Sequence, residues 1–158
     1  MSYGLSYAVL LTFLEDDDMG LHIPFFGMMC LTFVVWSVLY INRLYCMLVL
    51  KRNLFQSSTP ELMKEHVPSH LHTPTYNLHN LFELPVLFYA ICLYLMYVDQ
   101  VDSLYVMSAY VFFVFRVIHS LIHCTINQVF LRLTSYLIAS FALWFMLVRI
   151  LLSLIEFA

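Results

Sequence analysis

Four long apolar runs, joined by short polar breaks and one long hydrophilic stretch, set out the plan of this chain. Phe25–Ile41 is almost wholly apolar, Asn42 and Arg43 interrupt it, and Leu44–Leu50 carries it on to Lys51-Arg52. With that first run at about 24–50, the others lie at about 78–98, 104–127 and 133–157. A helix of about 20 residues crosses a ~30 Å hydrocarbon core, so each run is long enough to span a membrane. The pattern predicts an all-α integral membrane four-helix bundle over residues 23–158. Pro24 is expected to open the first span, because a proline at a first helical turn loses no hydrogen bond. Pro85 should kink or start the regular part of the second. Asp99–Asp102 reads as a tight acidic turn before a third helix starting at Ser103 or Leu104, and Asn127–Arg132 as the last turn.

Two stretches fall outside this plan. In residues 1–22, Gly4–Leu14 is apolar but short for a span, and Glu15-Asp16-Asp17-Asp18 closes it. It lacks the basic start and small-residue cleavage site of a secretory signal. It is read as an interfacial segment or an early translational start, with Met19 the alternative first residue. Asn53–His79 is hydrophilic, has a cap-like Thr59 followed by Glu61, and carries Pro68 and Pro74, which are expected to keep it mostly irregular.

Composition and charge narrow the class. The chain of 158 residues is 63% hydrophobic and 11% charged, with a mean hydropathy of +0.86; soluble domains are roughly 45–50% apolar and about 25% charged. A net charge of −3 with scattered positives argues against a nucleic-acid partner. Cys30, Cys46, Cys92 and Cys124 stand singly, without ligand spacing, and read as small buried hydrophobes rather than a disulfide framework. Lys51, Arg52 and Lys64 sit on the first loop and Arg132 on the third, whereas the second holds only Asp99 and Asp102. By the positive-inside rule, the first and third loops are cytoplasmic and both termini lie outside, with Arg149 the exception.

Candidate chemistry concentrates in the third run. Arg116, His119, His123 and Asn127 recur at i, i+3, i+7 and i+11, one narrow polar stripe on an otherwise apolar helix. Ionisable groups at membrane depth are costly and face a bundle interior or a wet cavity. Asn80 and Glu83 enter the second helix at the same cytoplasmic end, and Arg132 lies just beyond the third. Glu83 and Arg116 share a depth at which they could neutralise each other, as an interhelical clamp or as part of a site. A stripe this long exceeds a clamp and predicts a polar cavity open to the cytoplasm. Its donors and one carboxylate suit a small zwitterionic or anionic ligand, with the bilayer supplying a lipophilic second substrate. A proton path through His119 and His123 is the competing use. No metal is expected: one helix supplies only two imidazoles, and the tract of His66, His70, His72 and His79 fits no zinc spacing. Arg43 reads as an interfacial side chain or an interior cation.

The sequence NLFELP at Asn80–Pro85, followed by RVIHSLIH at Arg116–His123, resembles the MAPEG family, the membrane-associated proteins of eicosanoid and glutathione metabolism, over about residues 24–150. It is particularly similar to bacterial members. The resemblance implies a homotrimer in membrane lipid, with glutathione as co-substrate at subunit interfaces near the cytoplasmic face. Asn80, Glu83, Arg116 and His119 would contact glutathione, with Arg43 a further candidate for its carboxylate. Arg132 would stabilise the thiolate in catalysis. His123 stands where active members often carry Tyr, Tyr76 where they carry Arg, and Pro85 comes earlier than the family's proline. The implied function is that of a glutathione-dependent enzyme resembling microsomal glutathione transferase, attacking a lipophilic electrophile or hydroperoxide. The alternative is a non-catalytic protein of the same fold holding a lipid or an anionic small molecule. A bacterial inner membrane, with both termini periplasmic, is the expected location.

Overall fold

In chain order the computed structural model contains α1 (Asp17–Leu48), α2 (Ser69–Leu81), α3 (Leu84–Tyr97), α4 (Ser103–Cys124) and α5 (Val129–Glu156). The structure describes residues 17–51 and 69–156. Helices α2 and α3 share one traverse, so the candidate membrane spans are Gly20–Leu48, Thr73–Tyr97, Ser103–Cys124 and Val129–Ile155. The protein is an all-α, four-helix integral membrane bundle, as its hydrophobic runs predict. The segment before Asp17 and the Thr59–Glu61 cap signal lie outside the described residues.

Two prolines depart from expectation. Pro24 does not open the first helix but lies inside α1, and Pro74 lies inside α2, so the described part of the stretch expected to be irregular is helical. An internal proline removes an i→i−4 hydrogen bond and crowds the carbonyl four residues earlier. Burial offsets that cost at both: Leu21, Pro24, Phe25 and Met28 are buried on α1, and Pro74, Asn77 and Leu81 on α2. Pro85 behaves as predicted and starts α3 from its first turn. The backbone bonds Phe82 N–H to His79 (3.0 Å) and Val86 N–H to Glu83 (3.2 Å) close the break on either side.

The remaining joints follow from their residues. Asp99 takes a left-handed conformation (φ 54°), which aspartate tolerates better than most residues, and Gln100 N–H closes the end of α3 on Leu95 O at 3.1 Å. Asp102 caps α4, its Oδ1 accepting from Leu104 and Tyr105 N–H at 3.0 Å each. The same carboxylate receives both Nη groups of Arg149 from α5, the Nη1 bond measuring 2.6 Å, and the guanidinium lies 4.3 Å from the Tyr105 ring centroid. Arg149, an exception to the charge rule, is thus paired at the end of the bundle where α3 turns into α4.

Inside, Phe88 of α3 stacks on Phe112 of α4 with centroids 4.5 Å apart, and Phe25 of α1 meets Tyr89 edge-on at 5.5 Å. The outer face carries Phe33, Ile41, Phe141 and Leu152, all exposed, as a lipid-facing surface requires. Hydroxyls that would be stranded in hydrocarbon bond back to their own helices, as Thr32 does to Met28 O and Ser140 to Tyr136 O. At Gly27 of α1 the side chain of Phe113 from α4 lies against the backbone, and an added Cβ would stand 2.6 Å from Phe113 Cζ. Small residues at such crossings let helices pack by dispersion, the main attraction available between them in lipid.

Gly27→Leu should therefore cost about 1–3 kcal/mol through overpacking, read as a lowered melting temperature in detergent. At Asp102, Arg149 holds the carboxyl below the usual aspartate value. Its contribution is complete above the unfolded pKa near ~4 and is lost as pH falls through the lower folded value. Because the pair is partly exposed, Asp102→Asn, which keeps the cap acceptor, should cost no more than about 1 kcal/mol. Asp102→Ala should cost about 1 kcal/mol more through the lost cap. Melting curves of both variants from pH 7 down to pH 3 check the order and the sign.

Candidate functional site

At the bundle end where α4 turns into α5, a cavity of about 650 Å³ opens among α2, α4 and α5. Its walls are Thr73, Tyr76, His79 and Asn80 from α2, His119 and His123 from α4, Asn127 from the turn, and Val129, Arg132, Leu133 and Tyr136 from α5. Small-molecule sites commonly enclose ~300–1,000 Å³, with a few convergent polar groups on an otherwise apolar wall.

The turn builds the cluster. Helix α4 ends at Cys124, and Asn127 lies beyond it with φ 47°, its N–H bonded to Ile122 O at 2.7 Å. Asn127 therefore does not continue the helical stripe. It reaches the same cavity because asparagine tolerates the left-handed region, where the chain reverses sharply. Arg132 likewise lies not in a loop but in the opening turns of α5, which begins at Val129. One short chain reversal thus brings together residues that a single helix could not align.

Hydrogen bonds define the tautomers. His119 Nδ1 lies 3.0 Å from the backbone oxygen of Arg132. A carbonyl only accepts, so Nδ1 carries the hydrogen and Nε2 holds the ring's lone pair. The Arg132 Nη1 group donates to Asn127 Oδ1 at 2.8 Å and to His123 Nε2 at 3.4 Å. Guanidinium only donates, so His123 carries its hydrogen on Nδ1. His119 and His123 are both 3% exposed, and His119 Nε2 and His123 Nδ1 have no hydrogen-bond partner among the described residues.

The other expected residues are placed as follows. Asn80 lines the cavity, and its backbone oxygen accepts from Arg116 Nη2. Arg116 is 0% exposed and is not part of the cavity wall. It lies behind Tyr136, its Cζ 5.6 Å from that ring's centroid, while the ring of His119 is 5.7 Å from the same centroid. Glu83 and Arg116 make no direct ion pair: Glu83 is exposed and acts on the guanidinium only through its charge, and the ion pair among the described residues is Arg149–Asp102. The break forced by Pro85 puts Glu83 at the cap of α3, on the outside of the joint. Arg43, half-buried on α1, lies over Tyr40 at 5.8 Å and takes no part in the cavity wall.

Several wall residues carry no obvious sequence signal. Tyr136 is missed because a lone tyrosine in an apolar run looks like core, although it follows Arg132 by one helical turn. Asn77, 0% exposed, braces the wall by accepting from Ser120 Oγ at 3.3 Å and donating to Cys124 Sγ at 3.4 Å. Of the histidine-rich tract before Thr73, His66 lies outside the described residues, and His70 and His72 fall in the first turn of α2. Among those described, no cluster of three His, Cys, Asp or Glu is arranged to hold a metal.

Fold and cavity together define a small helical membrane protein with a polar recess at one end of its bundle. The model of the MAPEG family matches residues 21–152, and the chain belongs to that family. Membership places it, at the level of the family, among membrane proteins of glutathione or eicosanoid metabolism. Neither a curated protein nor a solved structure matches the chain.

Asn127 separates the turn's two duties. Asn127→Gly keeps the left-handed turn but removes one of the two acceptors that hold Arg132. Asn127→Ala also places an alanine at positive φ, which costs roughly 1–2 kcal/mol. Melting temperatures should fall in the order wild type, Gly, Ala; equal melting of the Gly and Ala variants would show that the turn is not left-handed in solution.

Proposed function

We propose that the protein is a glutathione-dependent membrane enzyme in which the cavity receives the tripeptide and Arg132 stabilises its thiolate for attack on a lipophilic electrophile or hydroperoxide. The observation that carries this reading is the way Arg132 is held. Asn127 and His123 both accept from Nη1, and among the described residues no bond occupies Nη2 or Nε. A guanidinium fixed by one nitrogen presents its remaining edge as a preorganised fork for an anion. A nearby fixed cation lowers the pKa of a thiol, and the thiolate is the nucleophile.

The rest of the wall suits the remainder of the molecule. Asn80, Thr73 and Tyr76 bring donors and acceptors to a zwitterionic peptide, and Val129 and Leu133 continue the wall toward the apolar exterior. An electrophile dissolved in the bilayer would arrive from that side. Glu83 and Arg43, exposed or half-buried away from this wall, are available to glutathione only where a second subunit adds its surface, which favours the homotrimer proposed for the family fold. Lys51 and Arg132 at the cavity end, against Asp99 and Asp102 at the other, favour a cytoplasmic cavity with both termini periplasmic in a bacterial inner membrane.

In detergent-purified protein, millimolar glutathione should raise the melting temperature by mass action. Arg132→Ala should keep the fold and lower thiol-dependent turnover by about two orders of magnitude, as loss of one preorganised charge-stabilising donor typically does. Arg132→Lys, which keeps the charge but not the fork, should recover only part of it. Wild-type rates in Arg132→Ala would remove the arginine from the chemistry, and a flat melting curve at every glutathione concentration would turn the reading toward lipids and anionic metabolites.

A further inference from the structure

We infer that His119 is the base that takes the proton from the thiol, so that the cavity contains both halves of a nucleophile-activating pair: an acceptor for the proton and a cation for the thiolate left behind. This rests on the glutathione reading above and adds a second catalytic residue to it.

One hydrogen bond fixes the ring. The Arg132 backbone oxygen ties down His119 Nδ1 at 3.0 Å, which places the lone pair on Nε2. That nitrogen is buried, has no partner among the described residues, and belongs to a ring that forms part of the cavity wall. A buried acceptor left without a donor is uncommon and calls for a partner, and the ring that carries this one forms part of the wall of a polar recess that an X–H group of a ligand can enter. His123 offers no such base, because its own Nε2 already accepts from Arg132 and its free nitrogen carries a hydrogen. The same residue, Arg132, thus orients the base through its main chain and supplies the cation through its side chain.

The step balances without a further reagent. The S–H bond breaks with its electron pair remaining on sulfur, and the proton forms N–H at His119 Nε2. The thiolate stands against the guanidinium edge. When sulfur bonds to carbon, the leaving group departs with its bonding pair, and the imidazolium returns the proton to that group or to water at the cavity mouth. The titratable and charged groups around His119 are Arg116 and His123 on α4, Arg132 and Tyr136 on α5, and Tyr76 and His79 on α2. No α1 residue forms part of the wall.

His119→Asn tests the assignment, because the asparagine amide can occupy the place of Nδ1–H and still donate to Arg132 O, while no base remains at Nε2. With an activated aryl chloride as electrophile, kcat should fall at least about a hundredfold, within the usual range for a lost general base, with the KM for glutathione nearly unchanged. The ultraviolet absorbance of bound thiolate should disappear while the glutathione-induced melting shift persists. Unchanged kcat and thiolate yield would overturn the base and leave Arg132 and the glutathione site standing. A wild-type protein that shows neither melting shift nor thiolate would overturn the glutathione reading and the base with it. Nitrogen NMR of ¹⁵N-histidine-labelled wild type decides independently of any variant's folding: Nε2 of His119 should be bare in the free protein and protonated with glutathione bound. A hydrogen on Nε2 in the free protein would overturn the proposal.

Discussion

The hairpin of α4 and α5 is held at both ends by polar contacts that lipid cannot replace. At one end Asp102 grips Arg149; at the other the backbone oxygen of Arg132 holds His119. In hydrocarbon, two apolar helices gain little by preferring each other over acyl chains, so directional contacts and close packing decide how they pair. The two ties fix the relative height of α4 and α5, and the cavity depends on that height. A slide of a single residue along either helix would separate His119 from the Arg132 carbonyl and Arg132 from Asn127.

The cluster at the cavity is organised around an arginine that is only partly buried, while the most buried arginine lies behind it. Arg116 gives one hydrogen bond to Asn80 O and has Nε and Nη1 without partners among the described residues, with the face of Tyr136 beside it. Its positive charge sits deep in a medium that screens little, so it biases the whole recess toward anions even without touching one. Arg132 is the cation at the surface of that field, positioned by a turn and not by a helix face. Such an arrangement concentrates a diffuse attraction at one oriented fork.

His123 and Tyr76 shape the recess in different ways. The imidazole of His123 accepts from Arg132 and so acts as a brace for the guanidinium. Tyr76 contributes an aromatic wall on the α2 side, so the arginines around the recess come from α4 and α5.

Much of the architecture was already legible in the chain. Membrane class, span number, the acidic turn before Ser103 and the start at Pro85 follow from hydropathy and from local rules of backbone hydrogen bonding, which act over a few residues. The ends of α1 and α2 were not legible, because Pro24 and Pro74 obey tertiary burial over local preference. The stripe on α4 showed where the polar chemistry lies but not how it is arranged. Periodicity assumes a continuing helix, and the helix stops at Cys124. Asn127 and Arg132 reach the cavity through a left-handed turn, Tyr136 enters from the next helix, and Glu83 stays exposed without an ion pair to Arg116. By itself the sequence determined which residues are too polar for lipid and must find partners within the fold. Only the tertiary structure decided which partners they find, because a hydrogen bond between helices depends on their relative height and rotation, and no local pattern encodes either.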